Sequence, residues 1–91
     1  LKSRTPVAFT STIYYYTDVQ ILAKAAKLFG KEADYEKYSA LAAKIKKVFN
    51  DTYLNKQTGI YDKGFQTEMS APLFWEIVPE QYRAKVAAAL N

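Results

Sequence analysis

Two stretches of the chain repeat one layout, a largely apolar helix joined through a short link to a more amphipathic one, and this repeat narrows the fold more than any other feature. The first helix is predicted from about Thr12 to Phe29 and ends at Gly30, which suits the left-handed position just past a helix C-terminus. On it Gln20, Lys24, Lys27 and Lys31 share one narrow polar face, while Tyr15, Tyr16, Val19, Leu22, Ala23, Ala26 and Phe29 cover much of the rest. Such a helix needs neighbours on more than one side, as an inner helix of a layered all-α fold does. The second helix, about residues 35–50, sets Tyr35, Tyr38, Leu41, Ala42, Ile45, Val48 and Phe49 in a single stripe at i, i+3, i+4, i+7 spacing. Asp34 is its expected cap, with Glu36 early and Lys44, Lys46 and Lys47 late, as the helix dipole favours. The link Gly30–Ala33 is short enough to fold the two helices into an antiparallel hairpin.

Ahead of this hairpin, residues 1–9 read as an irregular lead-in around Pro6, and Thr10, Ser11 and Thr12 are candidate N-caps. After it the helical period is lost from Asp51 to Phe65. Tyr53-Leu54 and Ile60-Tyr61, flanking Asn55 and Thr58-Gly59, predict a small β-hairpin. A third helix is expected at about 68–77, following Gln66-Thr67. Either Ser70 caps it with Pro72 just inside, or it starts at Thr67 and kinks. A fourth, about 80–90, opens after Pro79 and carries Tyr82, Val86 and Leu90 as its apolar line. The fold class is therefore all-α, two helical hairpins with a short β-hairpin-like loop between them. The first helix of each hairpin would face the centre of a curved array, with the loop 51–65 at the end where those inner helices begin. Unpaired amides and the positive dipole end would point at whatever sits there.

At 91 residues the chain makes at most one small domain. Its 49% apolar and 15% aromatic content is too high for a disordered segment. It contains no cysteine and no histidine, so disulfides, Cys/His zinc sites, Cys nucleophiles and Ser-His-Asp triads are all excluded. No cofactor and no metal site is expected. The net charge of +4 comes from lysines such as Lys24, Lys27, Lys31, Lys44 and Lys47, spread at helical spacing over outward faces, with no dense basic cluster. A nucleic-acid partner is not expected on that pattern. The apolar runs fall well short of the roughly 18 residues a membrane span needs, so no membrane partner is expected either. Leu1 in place of an initiator methionine, and the abrupt end at Asn91, suggest a piece of a longer chain.

A polar pair at a helix mouth with aromatics close by, as Gln66-Thr67 stand to Phe65, Phe74 and Trp75, is one way to present a sugar-sized pocket; Thr67 is equally suited to cap the helix, and Trp75 to fill the core. Glycoside hydrolysis needs two carboxylates across a cleft, roughly 5–10 Å apart. Asp18, Asp51, Asp62, Glu68 and Glu76 are the candidates; Asp18, Asp62 and Glu68 have local structural roles available and no pair stands out, so no catalytic residue is assigned. Tyr14, Tyr15 and Tyr16 point about 100° apart on a helix, so at most one faces a pocket while the others pack.

Pro6-Val7-Ala8-Phe9-Thr10-Ser11-Thr12-Ile13-Tyr14-Tyr15-Tyr16, Leu22 through Gly30, Tyr38 through Asn50, and Thr58-Gly59-Ile60-Tyr61 with Gln66-Thr67 resemble the bacterial α-L-rhamnosidases of glycoside hydrolase family 78. The hairpin portion is shared by several six-hairpin glycosidases; the Phe9–Tyr16 start and the Gly59-Ile60-Tyr61…Gln66-Thr67 segment favour rhamnosidase. The resemblance implies an (α/α)6 barrel of which residues 1–91 supply about two hairpins, and an inverting two-carboxylate mechanism releasing terminal α-L-rhamnose. It places the acid upstream of Leu1 and the base downstream of Asn91, which leaves the isolated piece inactive. It implies a rhamnose-containing glycoside as substrate, the rest of the parent barrel as partner, and Gln66, Thr67, Thr10 and Tyr14 as substrate-binding residues. Pro72 departs from the smoother apolar helix usual after the Gln-Thr pair. Two other readings stay open: a tetratricopeptide-like interaction module, suggested by Tyr35…Tyr38…Leu41-Ala42 after Leu28-Phe29-Gly30, and a six-hairpin glycosidase acting on glucose-type sugars.

Overall fold

Helix α1 runs from Pro6 to Leu28, starting well ahead of the Thr12 expected from the pattern. The computed structural model describes residues 6–62 and 71–90. Proline is at home as the first helical residue, because its fixed φ suits the helix and its missing N–H would lack an intrahelical partner there in any case. Thr10, Ser11 and Thr12 are consequently inside the helix and are not its caps. The Thr12 hydroxyl donates back to the Ala8 carbonyl at 2.7 Å and Thr17 to Ile13 at 3.0 Å, each one turn behind.

Gly30 ends α1 as expected. Its φ is +71°, its N–H donates to the Lys27 carbonyl at 3.1 Å, and the Lys31 N–H donates to Ala26 at 2.8 Å. These two bonds satisfy carbonyls that the helix end would otherwise leave open. Helix α2 spans Glu32–Tyr53. Its N-cap is Lys31, with no side-chain cap bond, so Asp34 is not the cap; it lies with Glu32 in the first turn, where the positive end of the dipole favours acids. The helix also passes Asn50, expected as its last residue, by another turn's length to Tyr53. The predicted hairpin of helices forms, α1 against α2 along most of their length. Phe9, Ile13, Tyr16 and Val19 of α1 meet Ala42, Ile45, Phe49 and Tyr53 of α2 in one buried cluster.

Strands β1 (Leu54–Asn55) and β2 (Ile60–Tyr61) pair antiparallel in the register Leu54↔Tyr61, Asn55↔Ile60. The turn is built by Asn55, whose side-chain oxygen accepts from the amides of Gln57 at 3.0 Å and Thr58 at 3.1 Å, while its carbonyl accepts from Gly59 at 2.8 Å. Gly59 takes φ +77°. A β-hairpin between two helical pairs does not fit a tetratricopeptide-like array, whose helices are joined by short turns at a fixed period.

Helix α3 is Pro72–Ile77, with Ala71 and not Ser70 as N-cap and Pro72 in the first turn. The alternative start at Thr67 lies outside the described residues. Past Val78, Pro79 opens a 3-10 turn at Glu80–Tyr82, and α4 follows at Arg83–Leu90, so the predicted fourth helix is split in two. Val86 is fully buried, with Tyr82 and Leu90 packed against the same cluster, which is the expected apolar line. Phe74 stacks on Phe9 and the Glu76 carbonyl accepts from the Tyr16 hydroxyl at 3.4 Å, so α3 runs in the same sense as α1. The architecture is all-α with one minimal ribbon. Among the described residues no helix is long and apolar enough to cross a membrane.

Helix α1 keeps its second apolar face open. Ile21, Leu22, Leu28 and Phe29 are exposed, Leu28 by 81%, together with Tyr14 and Tyr15. That agrees with a helix whose composition asks for more neighbours than α2 and α3 supply.

Candidate functional site

The first turns of α1, the last turns of α2, the β-ribbon and α3 converge at one end of the chain's fold around a single ring. Phe9 lies 5.0 Å from Phe49, 5.1 Å from Tyr53, 6.2 Å from Tyr61 and 6.4 Å from Phe74, between ring centroids. Tyr61 meets Phe74 edge to face at 4.9 Å. These distances lie within the favourable range for aromatic pairs, and they bring four elements together. The loop 51–65 was expected at the end where the inner helices begin, and Phe9 against Tyr53 and Tyr61 puts its described part there.

Within this apolar end sits one buried amide. Asn50 is 2% exposed; its Nδ2 donates to the Lys46 carbonyl at 2.8 Å and to the Ile77 carbonyl at 2.7 Å, and its Oδ1 accepts the hydroxyl proton of Tyr61. Every polar atom of the side chain is therefore satisfied, which is what makes a buried amide tolerable. Burial raises the Tyr61 phenol well above its usual range, so it stays protonated and acts as a donor. Sequence reasoning missed this centre because Asn50 was taken for a helix terminus. The available signal was its spacing, eight residues beyond Ala42 and one beyond Phe49, on the flank of the α2 stripe.

An open groove of ≈ 520 Å³ lies at the ribbon, lined by Tyr53, Leu54, Asn55, Ile60 and Tyr61 together with Asp51 and Asp62. Asp51 is clamped by Lys47 at 2.6 Å and Lys56 at 2.8 Å. Those bonds pull its acid down to about 2, so it is ionised at neutral pH and has no proton to deliver. Lys56 is raised in return by Asp51. The clamp ties the last turns of α2 to the ribbon's turn. Asp18 and Glu76 are both exposed. Among the described residues no three acidic side chains gather where a metal ion could sit.

Of the residues expected to bind substrate, Thr10 is half-buried beside Phe9, and Tyr14 lies one helical turn further along α1, 54% exposed. Both are on the segment of α1 that leads to the convergence point. Gln66 and Thr67 lie outside the described residues, as does Glu68. The three tyrosines differ from the expectation that most of them pack: Tyr16 is buried and accepts a hydrogen bond from Gln20 at 2.9 Å, whereas Tyr14 and Tyr15 are both exposed. Trp75 is half-buried, edge to face with Phe74 at 5.3 Å, and its carbonyl accepts from Arg83.

No curated protein and no solved structure matches the chain. The family model described as the bacterial alpha-L-rhamnosidase 6 hairpin glycosidase domain matches residues 1–91, its whole length. An all-α chain of helical hairpins, with a helix whose second apolar face is uncovered, is what such a domain requires of its parts, and this chain belongs to that family.

Proposed function

We propose that residues 1–91 form part of the (α/α)6 catalytic domain of an enzyme that releases terminal α-L-rhamnose with inversion of configuration, the two catalytic carboxylates lying elsewhere in a longer chain. The observation that carries this reading is the family match over all 91 residues. In an inverting glycosidase one carboxylic acid protonates the departing oxygen while a carboxylate activates water on the opposite face of the sugar, with the two groups roughly 6.5–9.5 Å apart. The residues present here are suited to holding the sugar and not to cleaving it. Asp51 is spent on two lysines, and the convergence of α1, α3 and the ribbon supplies a rigid end to which a sugar can be referred. In this reading Thr10 and Tyr14 from the start of α1, with Gln66 and Thr67 ahead of α3, face the rhamnosyl residue, and the open face of α1 packs against the remaining hairpins.

The test is turnover by the full-length protein. Release of p-nitrophenol from p-nitrophenyl α-L-rhamnoside, with β-rhamnose as the first anomer seen by NMR, is the expected result. No turnover of that substrate, with turnover of the corresponding glucoside, would overturn the substrate assignment while leaving the family intact.

A further inference from the structure

Asn50, Asp51 and Thr52 spell the Asn-x-Thr acceptor sequence for an N-linked glycan, and the fold hides it. We propose that Asn50 is a folding-gated glycan acceptor: open to an oligosaccharyltransferase while the chain is being made, closed once α3 has docked, and incompatible with the fold once occupied. An acceptor of this kind ordinarily belongs on a surface loop. Here all three residues lie inside α2, and Asn50 is 2% exposed.

Helix geometry, burial and the chemistry of transfer each close the site in the folded chain. A transferase has to hold the asparagine amide and the threonine hydroxyl together, whereas residues two apart on a helix point about 200° apart around its axis. The transfer itself joins Nδ2 to the anomeric carbon of a lipid-linked oligosaccharide, breaks that carbon's bond to the lipid diphosphate, which leaves, and gives up one Nδ2 proton to a base. Nδ2 begins with two hydrogens, and both are in use, on the Lys46 carbonyl at 2.8 Å and the Ile77 carbonyl at 2.7 Å. A glycosylated Asn50 keeps only one, so one carbonyl loses its partner, and the sugar has to part α2 from α3. The groove of ≈ 350 Å³ that Asn50 borders, between α2 and the Pro79–Tyr82 segment, gives no way round, since neither Nδ2 hydrogen is free to face it.

The groups that close the site come later in the chain. Tyr61, whose hydroxyl donates to Asn50, is 11 residues on, and Ile77 is 27. Synthesis delivers Asn50 first, and until those partners arrive it sits near the end of a helix that closes at Tyr53, the part of a helix that frays most readily. Modification and closure therefore compete for one amide.

The full-length protein is made through a eukaryotic secretory host, and Asn50 occupancy is read by glycopeptide mass spectrometry, separately in the folded secreted fraction and in the retained, aggregated one. Occupancy is expected in the retained fraction and not in the folded one. Thr52→Ala, which removes the acceptor sequence and leaves Asn50 its bonds, is expected to raise the folded yield about threefold, while Thr52→Ser, which keeps the acceptor, stays near the wild type. Expression in a bacterial cytoplasm, where no transferase is met, normalises the yields for any effect of the substitution itself. Folded protein that carries a glycan on Asn50 and melts as the unmodified protein does would overturn the proposal, and so would an Asn50 left bare in both fractions. If Thr52→Ala folds in neither host, Thr52→Val, which keeps the shape of the side chain, is read in its place.

Discussion

A Cβ placed on Gly59 would lie 2.7 Å from the backbone carbonyl carbon and oxygen of Lys85. The ribbon turn and α4 approach so closely that only hydrogen fits; a side-chain carbon of Lys85 stands equally near, and the two main-chain atoms cannot swing aside. Gly59 also needs a positive φ. Gly30 has a similar φ with nothing within 4 Å of its missing side chain. The pair separates two costs: Gly30→Ala is predicted to lose about 1 kcal/mol from backbone conformation alone, and Gly59→Ala about 2–4 kcal/mol once the clash is added. Thermal melts of the full-length protein check the order; equal losses at both sites would contradict the close approach.

Phe9 is predicted to be the costliest truncation in the chain. It is fully buried and, among the described residues, packs against the rings of Phe49, Tyr53, Tyr61 and Phe74, so Phe9→Ala should remove about 3–5 kcal/mol. Phe9→Leu, which keeps most of the volume, should cost far less. Denaturant midpoints distinguish the two; a small loss for Phe9→Ala would mean the four elements are held some other way.

The Asp51 clamp predicts a defined pH response. Its acid is lowered in the folded protein below the ordinary 3.8, first by the bond from Lys47 and then by that from Lys56. A depressed acid contributes stability above its unfolded value and loses it as pH falls toward about 2. Asp51→Asn should therefore be less stable than wild type at pH 7, with the gap closing between about pH 4 and pH 2. The carboxylate is exposed, so the effect should be small and should shrink in high salt. A gap that persists at pH 2 would point to a cause other than charge.

Tyr61 predicts the opposite limb. Its phenol is raised by burial, so the stabilisation it gives is whole below the ordinary value of 10 and is lost as pH rises beyond that toward the folded value. Tyr61→Phe should flatten the alkaline fall in stability above about pH 10. Tyr16, also raised chiefly by burial, adds a second component, which leaves some fall in the variant. Melting curves from pH 8 to 11 give the comparison.

The helical plan was legible because it rests on spacing. The α2 stripe and the Gly30 stop are local statements, and Ala42, Ile45 and Phe49 are buried as that stripe requires. The small ribbon was legible from Asn55 and Gly59, whose conformations few other residues adopt. What sequence could not supply depends on partners distant along the chain. The helix start at Pro6 overrides three good capping residues, and in that helix Phe9 is buried among side chains of α2, the ribbon and α3. Asn50 looked like a terminus for the same reason: its partners are Tyr61 and Ile77, and no local rule points to either. For the candidate site, the α1 residues Thr10 and Tyr14 follow from resemblance, while the hydrogen bonds of Asn50 to Tyr61 and Ile77 join positions far apart along the chain.

The Gly30 link joins α1 and α2 across a few residues, whereas the contact between Phe9 and Phe74 closes nearly the whole intervening chain. Loop-closure entropy makes the first of these contacts quick to form and the second slow. The paired long helices are accordingly expected to assemble early during synthesis, and the aromatic end around Phe9 closes later, waiting until α3 has been made.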